Sequence, residues 1–186
     1  MHSEELILKL LETGDRRTFD LLISTYQGRV FSLCYYMTGN REDAEDCTQE
    51  TFIKVFRGID SFTPDASLYT WIRKIAVNTC LDHMKKPFRL LKFINIHGDN
   101  AVDITSGADP EKECLNSESD RILHQAVMKL PVKLRTVIIL RELEELSYSE
   151  IAATAGISEG TVKSRISRAR EELRNLLRDF TEQKLK

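Results

Sequence analysis

The segment from Leu146 to Glu172 constrains the fold of this chain most, because its pattern is typical of two short helices joined by a glycine turn. Ser147 and Glu150 have the spacing of a capping box that starts the first helix. Gly156 supplies the turn, and Ser158 is placed to cap the second helix. The segment therefore predicts a helix-turn-helix, an arrangement with which proteins read the major groove of DNA.

In the second helix of this motif, apolar residues recur every three or four positions. The predicted buried face consists of Val162, Ile166, Ala169 and Leu173. The outward face would meet DNA, because lysine and arginine suit guanine edges or phosphates and serine suits base or backbone. Arg165, Arg170 and Arg174 lie nearer the rim and suit phosphates. The residues predicted to bind DNA are Ser158, Thr161, Lys163, Ser164, Arg165, Ser167 and Arg168. The alternative is a solvated basic helix that pairs with Glu171 and Glu172.

The charge of the chain is segregated along its length. Overall there are 27 basic and 29 acidic side chains, an unusual balance for a protein that binds a polyanion. The stretch from Arg73 to Lys92 contains six basic residues and one acid, and the stretch from Lys163 to Arg178 contains six basic residues and two acids. Seven acids and one lysine occupy the stretch from Asp99 to Asp120. We expect weak DNA binding by the protein alone, so that a larger partner delivers it.

The first half of the chain has the three- and four-residue apolar periodicity of helices. One helix is predicted from Phe19 to Met37 and ends at Gly39, and a second is capped by Asn40. The inward residues of the second helix are predicted to be Ala44, Cys47, Phe52, Val55, Phe56 and Ile59. A third helix is expected from Ala66 to Lys86 and ended by Pro87.

Periodicity fails from about Phe88 to Asn116, where turn-forming residues cluster among the acids. This stretch is the predicted flexible acidic linker. Helices resume near Ser117, with Pro131 expected at the first position of the helix that precedes the motif. The chain is therefore predicted to be all-α, with two small helical domains at residues 1–87 and 117–186 and a linker at 88–116.

The third predicted helix places aromatic rings beside basic and amide side chains. Such a composition is typical of single-strand binding, because exposed bases stack on rings while phosphates meet cations. Trp71 lies one turn before Ile75, so a core position is the more common alternative. An exposed Asn78 can read the edge of an extruded base, whereas a buried asparagine would hydrogen-bond its own or a neighbouring helix.

The second predicted helix carries five carboxylates, namely Glu42, Asp43, Glu45, Asp46 and Glu50. Successive carboxylates on one helix diverge and no partner stands at ligand spacing, so no metal site is predicted. A solvated face and a docking surface for a basic protein helix remain equally open.

The spacing of histidines and cysteines gives no sign of catalysis. His83, His97 and His124 are predicted to be surface residues. Four separated cysteines without a CxxC pair are expected to be reduced thiols, namely Cys34, Cys47, Cys80 and Cys114. No apolar run approaches the roughly 20 residues that cross a bilayer, and the first residues lack a secretory pattern. We expect a cytoplasmic protein without catalytic residues, cofactor, metal or small-molecule substrate.

Four motifs, in this order, resemble the extracytoplasmic-function (ECF) sigma factors, the compact promoter-recognition subunits of bacterial RNA polymerase. They are DAEDCTQETFIKVFRGIDSF at Asp43 to Phe62, YTWIRKIAVNTCLD at Tyr69 to Asp82, LPVKLRTVIILRELEELSYSEIA at Leu130 to Ala152, and GTVKSRISRAREEL at Gly160 to Leu173. The resemblance implies a sigma region 2 domain followed by a sigma region 4 domain. It also implies that the polymerase performs the chemistry.

The resemblance further implies a role for each surface. Contacts with the core polymerase fall on Asp46, Gln49 and Glu50. Recognition of the minus-ten element and strand melting fall on Trp71, Arg73, Asn78, Asp82, Lys85 and Lys86, with Asn78 lining a pocket for a flipped base. The second domain reads the minus-thirty-five element of promoter DNA. Lys163 and Ser167 stand where relatives often carry arginine or a bulkier residue. An anti-sigma factor, often membrane-bound, is the expected regulator in a stress response.

Two other classes compete with this interpretation. A stand-alone helix-turn-helix regulator would share the carboxy-terminal motif, but a receiver domain in its first half would need alternating strands and helices. An enzyme of nucleic-acid processing ranks third, and it would need a metal or nucleophile constellation.

Overall fold

In the computed structural model, the described residues are 16–63, 67–94 and 118–184. Within these ranges the regular structure is helical and no strand occurs. The helices are α1 (Arg16–Thr38), α2 (Arg41–Gly58), a short 3₁₀ turn (Ile59–Ser61), α3 (Leu68–Ile94), α4 (Glu118–Lys129), α5 (Val132–Glu142), α6 (Tyr148–Ala155) and α7 (Glu159–Lys184). The all-α prediction is confirmed.

Helices α1, α2 and α3 pack against one another as the first bundle. Asn40 caps α2 as predicted, since its side-chain oxygen accepts a hydrogen bond of 2.9 Å from the Asp43 N–H. The core is formed by the inward stripe of each helix, including the fully buried Leu22, Val30, Leu33, Met37, Ala44, Val55, Leu68, Ile72 and Ala76. Burial of each large apolar side chain stabilises the bundle by about 1.5–3 kcal/mol.

Helices α4 to α7 form the second bundle, with α7 packed against the other three. Pro131 precedes α5 at its N-cap, one position earlier than predicted. The core of this bundle includes Leu130, Val137, Leu140, Ile151, Val162, Ile166 and Ala169. The apolar face predicted for α7 is confirmed, with Leu173 half-buried at its edge.

The prediction that Pro87 ends the third helix is wrong, because α3 continues to Ile94. A proline removes only its own N–H donor and crowds one carbonyl, so a helix can continue past it where that loss is tolerated. Residues 88–94 of the predicted linker therefore belong to α3. The remainder of the linker, with Cys114 and His97, lies outside the described residues.

The two bundles pack on each other and share one continuous core. Helix α1 contacts α4 and α5, and α3 contacts α6. His124 from α4 stacks on Tyr35 from α1 with ring centroids 4.6 Å apart, and only 3% of this histidine is exposed. The prediction that His124 is a surface residue is therefore wrong. The stacking partner lies 89 positions away in sequence (124 minus 35), which local spacing cannot indicate.

Candidate nucleic-acid interface

The helix-turn-helix is set by local hydrogen bonds that the sequence predicted. The Ser147 N–H donates to Glu150 Oε2 at 2.8 Å, and the Glu150 N–H donates to Ser147 Oγ at 3.3 Å. The Ser147 hydroxyl also donates to Glu150 Oε2 at 2.6 Å, and this hydrogen bond, together with the one from the Ser147 N–H, lowers the pKa of Glu150. Gly156 ends α6 in the left-handed conformation with φ of 65°, which glycine adopts without a Cβ clash.

Helix α7 presents the predicted DNA-reading face to solvent. The Thr161 N–H donates to Ser158 Oγ at 3.3 Å, which confirms Ser158 as the cap. Ser164 donates from its hydroxyl to the Thr161 carbonyl at 3.0 Å. Ser158, Lys163, Ser164, Ser167 and Arg168 are exposed, while Thr161 and Arg165 are half-buried at the edge of this face. Because Val162 and Ile166 hold the opposite face in the core, the face of α7 that carries these side chains is fixed in direction.

A groove of about 340 Å³ runs along α7 beside the turn motif. Its lining comprises Tyr148, Lys163, Ile166, Ser167, Arg170, Glu171 and Arg174. The Arg170 guanidinium donates to Glu142 Oε1 at 2.7 Å, a contact that raises the pKa of Arg170 and ties α7 to α5. The solvated-helix alternative had placed the acidic partners at Glu171 and Glu172, whereas this arginine pairs with α5.

The residues predicted for the minus-ten element on α3 divide into exposed and covered groups. Asn78 is exposed, and so are Asp82 and Lys85, which form an ion pair of 3.2 Å. Trp71 is half-buried, with its ring 5.5 Å from that of Phe62. The side chain of Lys86 lies outside the described ones.

Arg73 differs from the other residues predicted to bind promoter DNA, because only 4% of it is exposed. Its guanidinium lies at the boundary between the bundles, 3.6 Å from Glu144 of the second one. In this arrangement no DNA strand can reach Arg73. The sequence could not show this, because a basic residue on a basic helix reads as a surface residue.

A second groove, of about 530 Å³, lies between α2 and α3. It is lined by Asp46, Cys47, Gln49, Glu50, Ile53, Lys54, Thr79, Asp82 and His83. The groove therefore joins the three predicted polymerase contacts to Asp82 of the predicted minus-ten set. His83, predicted to be a surface residue, is half-buried and pairs with Asp43, Nε2 to Oδ1, at 2.8 Å, across 40 positions of sequence.

Large apolar side chains continue this acidic surface along α2. Phe56 was predicted to face inward, but 60% of it is exposed, and Ile53 is 44% exposed. The Phe56 ring packs edge-to-face with the ring of Phe19, with centroids 5.0 Å apart. Exposed apolar groups rimmed by charge mark protein-binding surfaces. We name Asp46, Gln49, Glu50, Ile53 and Phe56 the docking stripe, and its composition favours docking over a solvated face.

Three cysteines meet in the first bundle although they are far apart in sequence. Cys34, Cys47 and Cys80 are free, buried thiols, one from each helix, which confirms the prediction of reduced thiols for them. Hydrogen bonds with Cys34 and Cys47, together with burial, raise the pKa of Cys80. Among the described residues, no group of three or more ligand-type side chains is arranged to hold a metal ion.

None of the helices within the described ranges combines the length and the hydropathy that spanning a bilayer requires.

A helix-turn-helix bundle with a basic outward face, packed on a second helical bundle with a docking stripe, defines a two-domain DNA-binding protein of the all-α class. Family models match both bundles of the chain. Sigma-70 region 2 matches residues 22–87, and Sigma-70, region 4 matches residues 120–173. The chain belongs to the ECF sigma factors of RNA polymerase, as its relatives also show.

The relatives match over almost the whole chain. The ECF RNA polymerase sigma-E factor of Haemophilus influenzae is 38% identical and covers 93% of this chain and 94% of its own. The ECF RNA polymerase sigma factor SigW of Bacillus subtilis is 38% identical and covers 93% of this chain and 96% of its own. The sigma factor RpoE of Bartonella quintana, solved with the anti-sigma factor NepR, is similar with a TM-score of 0.69 and 27% identity over 86% of this chain and 96% of its own.

These matches decide between the classes that the sequence left open. The first half matches sigma region 2, and its described part contains helices only. The alternative of a receiver domain with alternating strands and helices is therefore excluded. Sigma factors are not enzymes, since the polymerase they serve performs the reaction. The chain is a sigma factor that acts with RNA polymerase on promoter DNA.

Proposed function

We propose that this sigma factor divides promoter recognition between its two bundles. Residues 1–87 bind the polymerase clamp and the minus-ten element, residues 117–186 bind the minus-thirty-five element, and residues 88–116 connect them. The observation that carries this proposal is the separation of two surfaces on one chain. The docking stripe lies on α2 of the first bundle, and the exposed basic face lies on α7 of the second.

The docking stripe has the composition that a polymerase clamp helix rich in basic residues would recognise. Asp46, Gln49 and Glu50 are exposed and supply hydrogen-bond acceptors. Ile53 and Phe56 supply apolar area whose burial stabilises a complex. Opposite charge speeds association and fixes the register of the two helices. We assign polymerase binding to this stripe.

The exposed face of α3 receives the minus-ten strand in this proposal. Asn78 binds the edge of an extruded base, Trp71 borders the stacked bases, and Lys85 and Lys86 meet phosphates. Asp82 lies at the junction with the docking stripe, so polymerase binding and strand capture occur on adjoining surfaces. Trapping a base outside the stack offsets the few kcal/mol that its extrusion costs.

The minus-thirty-five element is read by the outward face of α7. Lys163, Ser164, Ser167 and Arg168 point into the major groove, and Ser158, Thr161 and Arg165 lie at the edge that meets the backbone. Each DNA contact alone is expected to be weak. On the polymerase both domains are held together, so the second contact forms within one complex and the overall affinity rises.

Control by an anti-sigma factor is part of the same proposal. RpoE of Bartonella quintana, which resembles this chain in fold and sequence, was solved bound to the anti-sigma factor NepR. We infer that a comparable partner holds this chain inactive. Its action on polymerase and chromosome takes place in the bacterial cytoplasm, or at the membrane while a membrane-bound anti-sigma factor holds it.

The experiment is binding of the purified chain to bacterial core polymerase, followed by run-off transcription from a genomic library. Asp46→Asn should weaken polymerase binding by about 1–2 kcal/mol, because it removes one charge from a complementary interface. Glu45→Gln is the matched control, since Glu45 lies one position away but pairs with Arg41 at 2.7 Å.

We expect discrete transcription start sites with the wild type and E45Q, and weaker ones with D46N. Equal polymerase affinity of D46N and E45Q would show that the stripe is not the docking surface. Absence of promoter-specific starts with the wild type would contradict the division of labour itself.

A further inference from the structure

A carboxylate of the second bundle is inserted into a basic site of the first. Glu144 lies between α5 and α6, and its side chain is only 4% exposed. The Tyr69 hydroxyl donates to Glu144 Oε1 at 2.9 Å. Arg73 Nη1 and Arg29 Nη2 lie 3.6 Å and 3.7 Å from Glu144 Oε2. Two guanidinium groups and a phenol therefore surround one carboxylate.

Contacts within the first bundle hold these three groups close to one another. Tyr69 and Arg73 are four residues apart on α3 and so share one face of it. The Arg29 guanidinium lies 3.7 Å above the Tyr69 ring, and the Tyr26 ring stacks on the same phenol at 5.6 Å. Because the Arg29 side chain remains 60% exposed, the site opens to solvent on one side.

Glu144 leaves part of the hydrogen-bonding capacity of this site unused. Within the described part of the protein, Glu144 Oε2 and Arg73 Nε are buried without a hydrogen-bond partner. Two guanidinium groups share the carboxylate of Glu144, while Glu150 acts on Arg73 from farther away. A buried ion pair with unused donors is a poor source of stability. Burial and the charge of Glu144 raise the pKa of Tyr69, so the phenol stays a donor at neutral pH.

The chemistry of the site suits a phosphate diester. Guanidinium groups bind phosphate oxygens with several donors at once, and a phosphate between two arginines and a hydroxyl would use donors that Glu144 leaves free. The site lies on the same helix as the exposed Asn78. Asn78 is five residues beyond Arg73, about 7.5 Å along the helix axis and about 140° around it, so a DNA strand that reaches both passes around α3.

We propose that Arg29, Tyr69 and Arg73 form a binding site for a backbone phosphate of the unwound promoter strand, and that Glu144 occupies this site while the two bundles are packed together. The proposal rests on the proposed function, because the strand is the one melted at the minus-ten element. Separation of the bundles withdraws Glu144 and opens the site, so that domain separation and strand capture are coupled.

The test uses the full chain without polymerase and a fluorescein-labelled single-stranded oligothymidylate, with binding followed by anisotropy over a range of KCl concentrations. Glu144→Gln should bind the strand severalfold more tightly than wild type. Its salt dependence should be steeper by about 0.7 in log–log slope for each phosphate newly neutralised. Glu145→Gln is the matched control, since it removes an exposed charge one position away from Glu144.

A second pair of variants separates this site from a general gain in exposed positive charge. In the E144Q background, Arg29→Ala should remove about 0.7 of the added slope, because one phosphate contact is lost. Lys133→Ala removes the same charge from an exposed position on α5 and should leave the slope at the E144Q value. Circular dichroism checks that each variant is folded.

Binding by E144Q that equals the wild type would show that Glu144 does not occupy the site. An unchanged slope after R29A in the E144Q background would show that the site does not hold a phosphate. Both outcomes overturn the proposal. Neither depends on transcription, so failure of promoter-specific initiation with wild-type protein and polymerase would overturn the proposed function alone.

Discussion

The guanidinium of Arg135 in the second bundle donates a hydrogen bond of 3.0 Å to the carbonyl of Met37 in the first. The same side chain donates to the carbonyls of Met128 and Leu130 at 2.6 Å and 3.2 Å. One cation thus caps the carboxyl ends of α1 and α4, where helix dipoles favour positive charge. Burial lowers the pKa of Arg135, and the hydrogen bonds to these carbonyls offset the cost of its desolvation.

Arg135→Ala should therefore destabilise the protein by about 2–4 kcal/mol, because three carbonyl acceptors lose a charged donor. It should also loosen the packing of the two bundles. Guanidinium denaturation measures the first effect, and the radius of gyration from small-angle scattering measures the second. Lys133→Ala, an exposed change on the same helix, should have neither effect. A stable and compact R135A protein would show that the capping is unimportant.

Two glycines of the first bundle should respond oppositely to alanine. Gly39 has φ of 92°, and a Cβ there would collide with the Met128 sulfur across the boundary between the bundles. Gly39→Ala should cost about 1–3 kcal/mol of unfolding free energy. Gly28 lies inside α1 with open space around its Cα, so Gly28→Ala should stabilise by up to about 1 kcal/mol. Thermal unfolding of the two variants, compared with wild type, checks both signs.

The capping box of α6 predicts a pH-dependent contribution to stability. Ser147→Ala should cost about 1 kcal/mol at neutral pH. The hydrogen bonds from Ser147 lower the pKa of Glu150, so their stabilisation is present above the ordinary carboxyl pKa and is lost as the pH falls through the lowered value. The difference between S147A and wild type should therefore shrink in acid. Ser24→Ala, an exposed serine inside α1, is the control, and a pH-independent difference for S147A would contradict the assignment.

Reading of the minus-thirty-five element should depend on Arg168. Arg168→Ala should weaken promoter binding by the polymerase complex by about 1–3 kcal/mol and relax the preference at one base position. Selection from a library of randomised minus-thirty-five elements measures both effects. Arg178→Ala, an exposed change farther along the same helix, should leave the selected sequence unchanged. If R168A selects the wild-type sequence with full strength, another side chain reads that base.

Strand opening should depend on Asn78. Asn78→Ala should leave the closed complex intact but disfavour opening by about 1–2 kcal/mol, because the extruded base loses its partner. The ratio of open to closed complexes should therefore fall roughly tenfold. Permanganate reactivity of unwound thymines measures opening, and a low-temperature footprint measures closed binding. Asn175→Ala on α7 makes the same chemical change outside the strand-binding face. Equal permanganate reactivity of N78A and wild type would remove Asn78 from the melting surface.

Features set by neighbours in the chain could be predicted from the sequence. The caps at Asn40 and Ser147, the turn at Gly156 and the apolar face of α7 depend on groups three or four residues apart, and all were confirmed. Pro87 is the exception among local signals. A single lost donor is tolerated there, so a helix-breaking residue did not break the helix.

The exposure of individual side chains was less predictable. Phe56 follows the apolar periodicity of α2 but extends past the edge of the bundle, so it is exposed and extends the docking stripe. His124 has the polarity of a surface residue but is covered by Tyr35 of the other bundle. Periodicity assigns a face of a helix, whereas the width of the covering neighbour decides how much of that face is buried.

The sequence by itself determined two helical bundles, a helix-turn-helix and the acidic and basic surfaces, because hydrogen bonding and apolar periodicity within a helix act over one or two turns. Only the tertiary structure decided that Glu144 lies among Arg29, Tyr69 and Arg73 and that Arg135 joins the ends of two helices. The contacts of Glu144 and the hydrogen bond from Arg135 to Met37 link residues 71 or more positions apart. Their geometry depends on how the bundles pack, and no local spacing encodes it.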